Sequence, residues 1–226
     1  MPKKPRLLTA LDILSPVLIL GALLFILFFT PVERTMGHVQ KVFYFHVASA
    51  WAGMLSFLLA ATAGGAYLIT RRLSWDALSL SSIEVGWVFG LAAILSGMIW
   101  AQPIWNTWWV WDPRLTTTAI MELIYLAYFI LRSGLKTPES QARLGAIYAI
   151  IAALTVPLTF FSIRLFRTIH PVVIATGGDG SAFNMTPRML TAFLISLATF
   201  TVLLATLVWH RTRLATLQRI NQQKGL

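Results

Sequence analysis

Two kinds of residue in this chain could do chemistry that a hydrocarbon-rich sequence does not otherwise need. The first is histidine: His46 in Val42-Phe-Tyr-Phe-His46-Val-Ala, and His170 in Arg164-Leu-Phe-Arg-Thr-Ile-His170-Pro171. A neutral imidazole offers a nitrogen lone pair at its ring edge. Two of them, brought together from different helices, can fill opposite axial positions on a haem iron. The second is tryptophan: the run Trp105-Asn-Thr-Trp-Trp-Val-Trp-Asp-Pro-Arg-Leu-Thr116 holds Trp105, Trp108, Trp109 and Trp111. Flat indole faces can stack on a large planar macrocycle, or abut its edge, and shield it from water. In a helix, Trp105, Trp108 and Trp109 would share one face, with Trp111 displaced to the side. Pro103 and Pro113 bracket the run, so any helix there is expected to be short.

Each of these residues has a plainer reading. A lone histidine near a helix end is more often an interfacial hydrogen-bonding group than a ligand. Tryptophans settle at headgroup depth because the ring is apolar and its N–H polar, and Trp51, Trp75, Trp87 and Trp100 need no more than that. Such a belt scatters aromatics over all helix ends, however, and a planar ligand better explains the density of the 105–111 run. His38 beside a glycine turn reads as surface, and His210 lies among basic residues at the far end. Arg114, Arg164, Arg167 and Arg188 could pair with carboxylates of a ligand, since guanidinium forks suit them, or contact lipid phosphates. Asp112 could hold Arg114 or cap the helix that follows. Glu122 sits inside an apolar span, a costly place for a carboxylate unless it is protonated, paired or facing a polar cavity.

The elements that must position these groups follow from composition. With 57% hydrophobic and 12% charged residues over 226 positions, the chain reads as an all-α polytopic membrane protein in the lipid bilayer, a single integral membrane domain over residues 1–226. Six stretches are long enough to cross a hydrocarbon core: 13–30, 46–69, 83–101, 117–131, 144–163 and 189–209. The fourth is short and needs extension at a flank, and Pro157 predicts a kink in the fifth. The first span is too long and lacks the small-residue site of a cleaved signal peptide. Basic residues crowd the connections on one side, which makes that side and both termini cytoplasmic. The outer segments are then 31–45, 102–116 and 164–188, the last containing Gly177-Gly-Asp-Gly-Ser181. Both histidines and the tryptophan run fall on this outer face. The net charge of +10 is spread over short connections rather than gathered in a patch, so no nucleic-acid partner is expected. The absence of cysteine excludes disulfides, thiolate metal sites and thiol redox chemistry within the chain.

The run Trp105 to Thr116 resembles the tryptophan-rich "WWD" signature of haem-handling membrane proteins in cytochrome c biogenesis. Together with the Tyr44-Phe-His46-Val-Ala context and the stretch from Pro157 through Thr168-Ile-His170, it resembles the CcmC family, haem exporter protein C, over about residues 40–172. The resemblance implies His46 and His170 as axial ligands of haem b (iron protoporphyrin IX). It implies a porphyrin platform of Trp105, Trp108, Trp109, Trp111 and Asp112, with Arg114 a candidate for the propionates. Asn106 stands where the family signature usually carries glycine, which puts the local backbone in question. It further implies haem binding on the periplasmic face of the bacterial inner membrane and hand-over to the haem chaperone CcmE. The implied partners are the ATP-binding cassette subunits CcmA and CcmB and the small membrane protein CcmD. The chain has no G-x-x-x-x-G-K-[ST] phosphate loop, so energy would come from a partner, and a handling protein rather than an enzyme is expected. A small-molecule transporter with a tryptophan lid, and an assembly subunit that binds no cofactor, are the competing readings.

Overall fold

The computed structural model describes residues 3–171 and 185–223, so the glycine-rich stretch 177–181 lies outside the described residues. Among the described residues, seven helices follow one another: α1 Arg6–Phe28, α2 Val42–Thr70, α3 Leu73–Trp105, α4 Pro113–Ser133, α5 Pro138–Ala152, α6 Thr155–Leu165 and α7 Pro187–Gln223. A short 3-10 turn, His38–Lys41, leads into α2. Helices α5 and α6 together make one crossing, giving six segments long and apolar enough to span a membrane.

Local chemistry fixes the ends. Helix α4 begins at Pro113 because Asp112 caps it, its carboxylate accepting from the Leu115 N–H at 3.1 Å, and proline suits the first helical position. Thr137 and Pro138 repeat that arrangement at the start of α5. Helix α3 starts ten residues earlier than hydropathy predicts. Its polar first turns are buried and internally satisfied: Ser81 and Ser82 donate to the Ala77 and Leu78 carbonyls, and Ser79 donates to Ala60 O of α2. The fifth crossing breaks between α5 and α6 just before Pro157, whose ring cannot donate the bond a continuous helix needs there.

Small residues let α2 and α3 approach at backbone distance. A Cβ built on Gly53 would sit 3.3 Å from both Gly86 O and Gly90 N. Against this pair, α4 and α5 build a core in which the Phe57 and Tyr125 rings stack at 3.6 Å, with Ile83, Met121 and Tyr128 around them. Helix α1 lies on α7, joined by a buried Ser15–Thr206 hydroxyl pair at 2.9 Å. Leucines, isoleucines and phenylalanines such as Ile69, Leu123 and Ile151 face outward, as a lipid-facing surface requires.

Candidate functional site

At one end of the bundle α2, α3, α4, α6 and α7 enclose a cavity of about 320 Å³, lined by His46, Gly97, Trp105, Arg114, Glu122 and His170 among others. The wall is mainly apolar with a few convergent polar groups, the usual character of a small-molecule site. His46 lies just over one turn into α2. Its Nδ1 faces Ala93 O at 2.8 Å, and a Cβ on Gly97 would come within 2.9 Å of its ring, so α3 both bonds the imidazole and makes room for it.

His170 comes from the chain beyond α6, where the preceding residues hold it. Thr168 donates its hydroxyl to Asp112 and accepts the His170 N–H at 3.0 Å. Asp112 therefore does two jobs, capping α4 and anchoring the segment that carries His170. The His170 Nδ1 faces Pro171 O at 3.3 Å. A carbonyl oxygen only accepts, so both imidazoles carry their proton on Nδ1 and leave Nε2 unprotonated.

The two ring centres are 6.3 Å apart, tilted by 40°. A metal bound by both rings at about 2 Å per nitrogen, with each ring centre about 1 Å behind its nitrogen, would set those centres roughly 6 Å apart. The observed centre-to-centre spacing is close to that figure. Burial, then the nearby Arg114 guanidinium and His46, push the His170 imidazole down to about 4, so it is neutral at physiological pH.

The tryptophans divide. Trp105 meets His170 at 6.4 Å and stands edge-on to Trp100 at 5.1 Å; these two and Trp109 line the cavity. Trp108 and Trp111 do not: they are 56% and 77% exposed. The shared helical face expected of Trp105, Trp108 and Trp109 does not form, because α3 ends at Trp105 and Asn106 adopts a left-handed conformation, φ 53°. Glycine is easiest there and asparagine next, so Asn106 suits the turn that ends α3. Pro103, expected to bound the run, lies inside the last turn of α3.

Arg114 and Arg164 line the cavity, and Arg114 donates to Phe160 O at 3.4 Å while its Nε has no partner. Arg167 and Arg188 are exposed and outside the lining. His38 is exposed, and His210 bonds Asp12 at 2.6 Å. Trp100 and Trp51, read from sequence as belt residues, belong to the wall. Trp100 sits five residues before Trp105, a spacing that gives no hint of their meeting.

Residues 3–225 match the family described as heme exporter protein C, CcmC. The chain belongs to the CcmC family. It is 29% identical over 177 residues to a heme exporter protein C of Bradyrhizobium diazoefficiens, covering 78% of this chain and 66% of the relative, so it spans about two thirds of that protein's length. A Paracoccus denitrificans relative of the same description is 30% identical over 82% of this chain and 77% of its own. One from Escherichia coli K12 is 26% identical, over 82% and 74%. With six membrane-spanning helices, this CcmC family member is a multi-pass protein of the bacterial inner membrane.

Proposed function

We propose that this chain handles haem for cytochrome c biogenesis, holding haem b between His46 and His170 on the periplasmic face and releasing it to a haem chaperone. The observation that carries the reading is the pair of imidazoles 6.3 Å apart, each with Nδ1 committed to a carbonyl, over a tryptophan-walled cavity. The heme exporter name of the family and of its relatives supports the class of ligand. The bound group would supply an iron with two axial positions for imidazole nitrogen. Trp105, Trp109 and Trp100 would shield the macrocycle from water, and Arg114 with Arg164 would face its propionates. Trp108 and Trp111, turned outward at the rim, suit contact with a partner better than contact with the ring.

The two ligands are built differently. His46 is fixed in a long helix and backed by Gly97, whereas His170 hangs on a short segment tied by Thr168 to Asp112. His170 is accordingly the side from which an acceptor would take the load. The acceptor is CcmE in this reading, with CcmA, CcmB and CcmD completing the assembly. The placement on the periplasmic side rests on the excess of arginine and lysine at the opposite end. Absorption spectra test the proposal: the protein purified from haem-sufficient cells shows a Soret band, which weakens or shifts in His46→Ala and in His170→Ala. A colourless wild type, or a band unchanged in both variants, overturns it.

A further inference from the structure

Glu122 stands apart from the imidazole pair, deeper in the same cavity. It lies on α4, only 5% exposed, lines the same cavity, and neither carboxyl oxygen has a hydrogen-bond partner. Its oxygens rest against Gly90, where any side chain would overlap Oε1, so the α3 backbone is cleared for this carboxyl as it is for His46 at Gly97. A carboxyl at membrane depth with no donor or cation against it is expensive, so what enters the cavity has to meet it.

Gly97 and Gly90 are seven residues apart on one helix, which separates the levels of His46 and Glu122 by roughly 10 Å. Over that distance, in surroundings poorer than water at screening charge, a charge on the carboxyl and a charge on an iron between the imidazoles interact appreciably. A ferric porphyrin core carries one positive charge more than a ferrous one. An ionised Glu122 therefore favours the ferric state, and reduction favours its protonation.

Resting on the haem reading above, we propose that Glu122 is a proton-exchanging group linked to the oxidation state of the bound iron. With haem bound, a one-electron reductant such as dithionite would deliver its electron to the iron, and Glu122 would take up one proton from solvent at a carboxyl oxygen; a one-electron oxidant would reverse both. Other charged or titratable groups line the cavity: His46 from α2, Arg114 from α4, Arg164 from α6, and His170 beyond it; Tyr125 of α4 is buried within electrostatic reach of Glu122. On α5, Tyr148 donates to the Ile124 carbonyl, and on α3 Glu84 is paired with Arg211. Helix α7 contributes Phe193, Leu194 and Leu197 to the wall.

The test is a potentiometric titration of the haem-loaded full chain at a series of pH values, with dithionite as donor, alongside redox-difference infrared spectra. In the wild type the midpoint potential falls as pH rises, and a protonated-carboxyl C=O band grows on reduction. In Glu122→Gln the potential is higher, its pH dependence is smaller, and the band is lost; any dependence left belongs to the propionates. Glu122→Asp keeps the titratable group and keeps the dependence, which serves if the glutamine variant does not assemble. A glutamine variant with wild-type slope and band, or an aspartate variant with none, overturns the proposal alone. A wild type that takes up no haem overturns the haem reading and this inference together.

Discussion

Where α3 begins, Asp76 is met by both arms of Arg132 at 2.7 Å each and by Arg219, tying α3 to α4 and α7. Tyr128 and the Gln141 carbonyl accept from the same Arg132, and Gly145 of α5 leaves room for its guanidinium. Farther along α3, polar groups are left open: both oxygens of Glu122 midway and the Arg114 Nε near the far end. Both regions bury costly groups, but the Asp76 carboxylate is bonded within the protein by Arg132 and Arg219, whereas the Glu122 carboxyl at the cavity is not. Satisfied networks hold the helices in place, and unsatisfied groups around a cavity mark where a ligand completes the structure.

The largest effect expected from breaking this contrast is at the closed end. Arg132→Ala leaves Asp76 buried with only Arg219, and costs about 3–5 kcal/mol of stability. Thermal unfolding in detergent should show it, with an unaltered haem spectrum in the protein that remains folded. At the open end, Gly97→Ala forces a methyl against the His46 ring and should lower haem affinity roughly 10-fold while leaving the melting temperature nearly unchanged. A large loss of stability there would erase the distinction. Thr168→Ala removes the link between Asp112 and the His170 backbone and should cost about 1 kcal/mol, seen as faster haem loss. Among the tryptophans, Trp105→Ala should reduce haem occupancy and Trp111→Ala should leave it within error, since only the first lines the cavity.

Acid provides a separate probe. The His170 imidazole is held down to about 4 when folded against an ordinary 6.5, so it should stay a competent ligand as pH falls toward 5. The sign for stability is unfavourable in acid: below about 6.5 the unfolded chain takes up a proton that the folded site refuses until about 4, so stability drops across that window. Replacing His170 by Gln, which does not titrate, should shallow that drop in thermal melts.

Hydropathy revealed the six crossings because lipid demands about twenty apolar residues in each, and the two cavity histidines and the tryptophan run stood out against that background. The closed end was not legible. Arg132 and Arg219 read as loop charges of the cytoplasmic side, and only the meeting of α3, α4 and α7 shows that they share Asp76. The polar opening of α3 fell outside the predicted span because a sliding average does not register that Ser79, Ser81 and Ser82 find carbonyls within the bundle. Trp108 and Trp111 sit in the same short run as Trp109, but the left-handed turn at Asn106 directs them to the surface, and local sequence carries no signal for that sorting. Asp112 was open between a cap and a ligand contact; its bonds to Leu115 and Thr168 make it the cap of α4 and the anchor of His170.

Electron paramagnetic resonance of the ferric, haem-loaded protein tests the central claim most directly. Two neutral imidazoles on one iron predict a low-spin, six-coordinate signal in the wild type, converted to high spin in both His46→Ala and His170→Ala. A wild-type signal that is high spin, or a low-spin signal that survives both substitutions, would contradict the paired-imidazole site.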